Sequence, residues 1–417
     1  VLGAGAHGRR PGRGGIQRGV VFADLFDGFD AGDAVNPDSV RVALLIESSN
    51  AYGRGLLAGI YDHATVSEHW VTFLPEHGRG APPLESLHAW RGDGIIARIE
   101  NERIAAVVRE LGLPTIDTSA ARLLPELPYV ETDDVAIARL AAEHLCEIGF
   151  RHFAFCGDRR FRWSENRRIA FERELAARGH DLDVFEMPVS ARRGGIAAEN
   201  ERLGRWLAGL PQPVAVFACY DVLARRVIEA CHDLAISVPE QMAVLGVDDD
   251  ELLCRLTTPP LSSVIPDARG AGRLAAELLD SLLAGRPVSP EHLLPPRGVA
   301  VRQSTDVVSV DDPVVVAAAQ FIRKNISRGI KVEDVAAASH VSRRKLEQRF
   351  VRSLARTPHE EIVRTQWRLV EDLLQNTELK LVAIARRCGF KHPEYMTTAF
   401  TKRYGCSPSE WRRTNHK

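Results

Sequence analysis

The sequence predicts a two-lobe α/β domain followed by an all-α domain that carries two helix-turn-helix units. Three observations lead there. From Val40 to about residue 305, short apolar runs alternate with helical patterns of 10–15 residues, the signature of βαβ units and parallel sheets. From Pro313 onward strand signals stop and only helical patterns remain, rich in Ala, Arg, Leu and Val. Charge divides at the same place. Residues 313–417 hold 21 Lys and Arg against 10 Asp and Glu, a net of +11, so the formal total of −1 leaves −12 for the rest. A basic terminal domain on an acidic body points to a nucleic-acid partner.

The elements follow in order. Residues 1–38 are Gly- and Arg-rich, then Asp-rich, and are expected to be disordered. Gly3, Gly5 and Gly8 satisfy G-x-G-x-x-G, but no strand precedes them and Arg-Arg-Pro-Gly follows, so no dinucleotide loop is expected. Val42–Ile46 reads as a buried parallel strand and Arg54–His63 as its helix. The alternation continues with strand Gly94–Ile99, helix Glu102–Leu111, strand Thr115–Asp117, helix Val135–Ile148, strand His152–Cys156 and helix Arg167–Arg178. Strand Ala215–Cys219, helix Val222–Leu234, strand Ala243–Val247 and helix Gly272–Leu283 complete it. About 260 residues are too many for one doubly wound unit, so two lobes with a cleft between them are expected over 39–305.

The second domain, 306–417, opens with Asp311-Asp312-Pro313 as cap and first helical turn. A short helix around Val332, Val335 and Ala336 breaks at Ser339-His340-Val341, and Ser342 caps a second helix, Arg343–Val351. After a longer helix, Pro358–Leu374, the pair recurs as Leu381–Cys388, the turn Gly389–His392, and Pro393–Tyr404. Val335-Ala336 and Ile384-Ala385 are 49 residues apart, Phe350 and Phe400 50, which marks an internal duplication. Two short helices joined by a tight turn fit a helix-turn-helix.

The residues Ile384-Ala385, Cys388-Gly389-Phe390, Tyr395, Phe400, Lys402, Gly405, Ser407-Pro408 and Trp411-Arg412 make this domain resemble the AraC-type DNA-binding domain. The resemblance implies two recognition helices in successive major grooves of operator DNA. Base-facing candidates are Arg343, Arg344, Glu347 and Gln348 in the first, and Glu394, Thr397 and Thr398 in the second. Arg pairs bidentately with guanine, Gln with adenine, and a Thr methyl meets thymine. Lys391, Lys402 and Arg403 are assigned to phosphate.

In open α/β sheets, ligands bind beyond the C-terminal strand ends. Those ends hold Ser49, Asn50 and Tyr52, then Arg98, Asp133, Trp163 and Arg167, Tyr220 and Asp221, and Asp248. Carboxylates and guanidinium groups suit the paired hydrogen bonds of a sugar, and an aromatic plane suits its C–H face. The plain structural reading makes Asp248 a loop cap, Arg167 a solvated helix start and Trp163 core. Val216–Asp221, Val244–Asp249 and Leu293–Thr305 make residues 41–305 resemble the periplasmic-binding-protein-like core of LacI-type repressors. By position, Arg167, Asp248 and Tyr220 match that family's ligand contacts, Tyr220 standing where Asn is usual. A LacI-like sensor followed by an AraC-type reader, with Asn50–Arg54, Trp90–Ile96 and Arg151–Phe155, resembles bacterial xylose operon regulators. That implies a sugar effector, D-xylose first, and a homodimer.

The competing class is a cytoplasmic enzyme acting on a sugar, the basic domain serving another interaction. No G-x-x-x-x-G-K-[ST], H-E-x-x-H or G-x-S-x-G occurs, so no enzyme, cofactor or metal is expected. Asp248-Asp249-Asp250-Glu251 is a poor metal site, because adjacent side chains on a loop diverge. A transport-binding protein would need export, yet residues 1–38 lack the apolar core of a secretory signal. No membrane association is expected, and seven scattered cysteines without C-x-x-C fit a reducing cytoplasm.

Overall fold

The computed structural model describes residues 39–67, 69–75, 90–187, 195–306, 312–354 and 356–415. The segment expected to be disordered, 1–38, and residues 307–311 of the inter-domain connection lie outside them.

Two six-stranded sheets form the first domain. The first is ordered β11-β5-β4-β3-β1-β2, with β1 Val40–Leu45, β2 Trp70–Phe73, β3 Gly94–Ala97, β4 Thr115–Asp117, β5 Tyr129–Thr132 and β11 Glu291–Leu294, all parallel. The second is ordered β12-β10-β9-β8-β6-β7: β6 His152–Asp158, β7 Leu182–Met187, β8 Val214–Ala218, β9 Met242–Val247, β10 Ser262–Ile265 and β12 Gly298–Ala300. Only β12 runs antiparallel. Central strands such as β3, β8 and β9, and β1 from Val42 onward, are apolar and buried, which is why they read from the sequence. The edge strands β2 and β11 hold only half-buried and exposed residues, and β2 was not anticipated.

Helices α1 Ala51–Ser67, α2 Glu102–Leu111 and α8 Ala268–Leu283 cover the first sheet; α3 Asp134–Glu147, α4 Arg162–Ala176, α5 Gly195–Gly209, α6 Asp221–Asp233 and the short α7 Glu251–Leu256 belong to the second. α1 and α8 touch at backbone distance: a Cβ on Gly59 or Gly272 would come within 2.0 Å of a carbonyl oxygen on the facing helix. The chain passes between lobes three times, after β5, β10 and β11. These crossings are tied by backbone bonds from Asp133 to Leu294 (2.8 Å) and Arg297 to Ile265 (2.8 Å).

The second domain is entirely helical: α9 Pro313–Asn325, α10 Val332–Ala338, α11 Arg343–Leu354, α12 Pro358–Asn376, α13 Leu381–Arg387, α14 Pro393–Tyr404 and α15 Pro408–Asn415. Two cores result, one around Val335, Leu346 and Phe350, the other around Ile384, Met396 and Phe400. The long α12 contributes Ile362 to the first and Trp367 to the second. Thr357 and Glu360 close a capping box at its start. Each inter-helix turn needs one left-handed residue, His340 (φ 52°) in the first unit and Gly389 (φ 75°) in the second. Among the described residues no helix is long and apolar enough to cross a membrane.

Candidate ligand cleft and nucleic-acid interface

Strand order within each lobe reverses between its first and third strands, and there the C-terminal ends leave a crevice. The two crevices face one cavity of about 340 Å³. All of the ligand candidates line it except Asp133: Ser49, Asn50, Tyr52 and Arg98 from the first lobe, Trp163, Arg167, Tyr220, Asp221 and Asp248 from the second.

Aromatic rings build one wall. Phe161 stacks on Trp163 at 4.8 Å between centroids, and Tyr220 meets Trp163 edge-on at 5.5 Å. Trp163 packs at the rim of the second core while lining the cavity, so the core and cleft readings both describe it. The Arg167 guanidinium lies 4.9 Å over the Trp163 ring and that of Arg98 4.9 Å over Tyr52. Arg167 is buried rather than solvated. Its Nε donates to Asp134 (2.8 Å) and its Nη1 to the Cys219 carbonyl (2.6 Å), which orients the side chain.

Asp248 and Asp249 both adopt positive φ, 110° and 48°, unusual outside glycine. The acidic run diverges there. Asp248 lines the cleft, Asp249 pairs with Arg302 (2.6 Å), and Asp250 pairs with Arg54 (3.1 Å) while capping α7. Burial raises the Asp248 carboxyl to about 6, against the pull of Arg167 and Arg98.

Two expectations need correction. Asp133 is the N-cap of α3, accepting from the Val135 and Ala136 amides at 2.9 Å, at a lobe crossing rather than in the cavity. Asp221 lines the cavity, yet Ser263 (2.6 Å), the Asp250 amide (2.8 Å) and Cys254 (3.3 Å) occupy its oxygens. It supports the Asp248–Asp250 loop. Residues missed include Glu47, Glu100, Phe161, Asp250 and above all Glu131. Glu131 sits inside β5 in a run without catalytic or binding pattern; an acid within a buried strand was the available signal. It accepts from the Tyr52 hydroxyl and the Thr132 amide (2.9 Å). Three buried polar atoms around the cavity have no hydrogen-bond partner among the described residues: Arg98 Nε, Trp163 Nε1 and Glu131 Oε2.

Burial holds Glu131 near 7, with Arg98 opposing. The native state therefore binds this proton more tightly than the unfolded chain, and stability from it is lost as pH rises through about 7. Glu131→Gln should accordingly flatten the fall in unliganded melting temperature between about pH 5 and pH 8. Thermal melts of both proteins across that range check this; an equal or steeper fall in the variant would contradict it.

In the helical domain the duplicated units expose matching positions. Arg343, Arg344 and Gln348 are exposed on α11, Glu394 and Thr398 on α14, while Glu347 and Thr397 are half-buried. Arg343 is held by Glu347 (2.9 Å) and by Glu333. The side chains of Arg344 and Gln348 make no hydrogen bond among the described residues and are the free pair. Thr397 and Thr398 turn their hydroxyls to carbonyls of their own helix at 3.0 and 2.9 Å, leaving the methyl groups as the outward chemistry. Lys391, Lys402 and Arg403 are exposed. Exposed Lys345 and Tyr395, which occupy equivalent places 50 residues apart, were not among the candidates.

Three family models match in succession: the XylR N-terminal domain at residues 41–135, a periplasmic binding protein-like domain at 142–305, and a helix-turn-helix domain at 335–414. The xylose operon regulatory protein of Escherichia coli (strain K12) is 33% identical over 384 residues, covering 90% of this chain and 97% of that protein. That of Haemophilus influenzae is 32% identical, covering 89% and 98%. The chain belongs to the xylose operon regulator family. A solved structure described as the xylose-binding transcription activator xylR superposes with a TM-score of 0.77 at 31% identity, over 91% of this chain and all of that one. Like its xylose operon regulator relatives, the chain is a sugar-responsive transcriptional regulator, not an enzyme. Its LacI-like sensor and AraC-type reader account for operator DNA and a sugar effector as its partners. A LacI-type regulator from Alkaliphilus metalliredigens, at 19% identity and a TM-score of 0.52, shares the fold of the first domain.

Proposed function

We propose that this protein binds D-xylose between the lobes of residues 39–305 and, as a cytoplasmic homodimer, reads operator DNA through α11 and α14 of residues 306–417. The unpartnered Arg98 Nε, Trp163 Nε1 and Glu131 Oε2 carry the sugar reading. Donors and an acceptor converge on one small cavity beside an aromatic wall, which is what a ring of hydroxyls with an apolar face requires. Buried polar groups left unpaired cost about 1–3 kcal/mol each, and a bound sugar recovers that cost. The relatives named for xylose make the pentose the first choice. Melting-temperature shifts against a panel of pentoses and hexoses test it, since a ligand of the native state alone at 100 times its Kd adds about 2.7 kcal/mol. D-xylose should give the largest shift; a hexose giving a larger one would reassign the effector.

On DNA, Arg344→Ala and Thr398→Ala are expected to relax specificity at positions about one helical turn apart. Lys402→Ala should weaken all sequences alike and lower the salt slope by about 1. Binding-site selection on each variant checks this. If Arg344→Ala and Thr398→Ala altered the same half of the site, the two helices would not read separate grooves.

A further inference from the structure

The chain leaves the second lobe through a 3-10 turn, Gln303–Thr305, that is locked inside that lobe. Ser304 Oγ donates to the Val244 carbonyl of β9 (2.6 Å) and accepts from the Ser262 amide (2.8 Å). Thr305 Oγ1 bonds Ser262 Oγ (2.8 Å) and His144 (2.9 Å). Both side chains are buried. Beyond the turn, acids at either end of the connection are gripped by arginines of the helical domain. Asp306 meets Arg364 (2.5 Å) and Arg368 of α12. Asp312 caps α9 and takes Arg349 of α11 at 2.7 Å. α9 in turn rests on the loop before β9, where Gln320 meets Ser237 and Arg323 pairs with Glu240. Glu240 is 3% exposed, so its charge is desolvated and depends on Arg323, which also faces Glu361 of α12.

Every sensor residue in these contacts belongs to the second lobe. Glu240 precedes β9 and Asp248 follows it, so one six-residue strand, roughly 20 Å long at about 3.3 Å per residue, links the junction to the cleft. We propose that the Arg323–Glu240 pair and the pinned Asp306 fix the DNA reader to the second lobe as one rigid body. Sugar-driven lobe closure then reaches DNA as movement of that body, not through a flexible tether. This rests on sugar control of DNA binding, and the junction lies outside the cleft, so the two claims separate.

The test uses the full-length protein, the charge reversals Glu240→Arg and Arg323→Glu, the isosteric Glu240→Gln, and the double reversal. Spin-label distances between the second lobe and α12 are measured without ligand. D-xylose affinity is measured by calorimetry, and operator affinity with and without D-xylose at fixed salt. Each single variant should keep its D-xylose Kd, which also certifies folding. Each should broaden the label distances and lose about fivefold or more of the sugar-induced change in operator affinity. The double reversal should restore both. Single variants with unchanged distances, or with broadened distances and full sugar response, would overturn the proposal. Should a reversal fail to bind sugar, Glu240→Gln decides by the same two readouts. Absence of D-xylose binding in the unaltered protein would instead sink the effector assignment, while the ligand-free distances still judge the docking.

Discussion

Asp248→Asn is expected to lower D-xylose affinity about 10–100-fold, because it removes charge-assisted hydrogen bonds worth about 1.5–3 kcal/mol. Operator affinity without sugar should stay as it is. Asparagine is the informative substitution here. Asp248 sits at φ 110°, and asparagine tolerates positive φ where alanine adds strain to the chemical loss. Arg167→Ala should weaken sugar binding by about 10–100-fold too, but with a second cost. Its guanidinium neutralises Asp134, which is 7% exposed, and breaking a buried pair costs about 3–5 kcal/mol. Calorimetry with D-xylose and a thermal melt on each variant separate these effects. Unchanged affinity in Asp248→Asn would place the sugar elsewhere, and an unchanged melting temperature in Arg167→Ala would deny the Asp134 pair its structural role.

The fragment 306–417, cut from the sensor, is expected to bind one half-site with an affinity indifferent to D-xylose. It should be weaker than the liganded full-length protein by about 100-fold or more, since one reader acts in place of two tethered ones. Its two cores are self-contained around Phe350 and Phe400, so the DNA-facing surfaces of α11 and α14 survive the cut. The cut does expose Arg323, whose partner Glu240 stays with the sensor. Gel-shift titrations of fragment and full-length protein on one operator check this. A fragment that still responded to D-xylose would refute the division between sensor and reader.

Much of this architecture was legible because it rests on patterns that the chain cannot hide. Buried central strands such as β8 and β9 are unbroken apolar runs, and the helix pairs repeat with Leu346 and Phe350 answered by Met396 and Phe400. Residues at strand ends were found because geometry alone assigns them to a crevice. Glu131 escaped because its meaning comes from Tyr52, 79 residues away, and from Arg98 across two strands. Asp133 misled for the converse reason: it sits at a strand end, but that strand end is a lobe crossing, where a helix cap is needed. Asp221 and Asp248 look alike in sequence. Only the packing of Ser263 and Cys254 against the first shows which acid is spent on the loop and which faces the cleft.

The most direct test of sugar control is quantitative footprinting of the full-length protein on its operator with and without saturating D-xylose, at one fixed salt concentration. The expected result is a sugar-dependent change in both affinity and protected span, with a coupling of about 1–3 kcal/mol, as two readers carried by the second lobes change their spacing on the duplex. Identical affinity and identical footprint in the two conditions, from protein shown by calorimetry to be saturated with D-xylose, would contradict it.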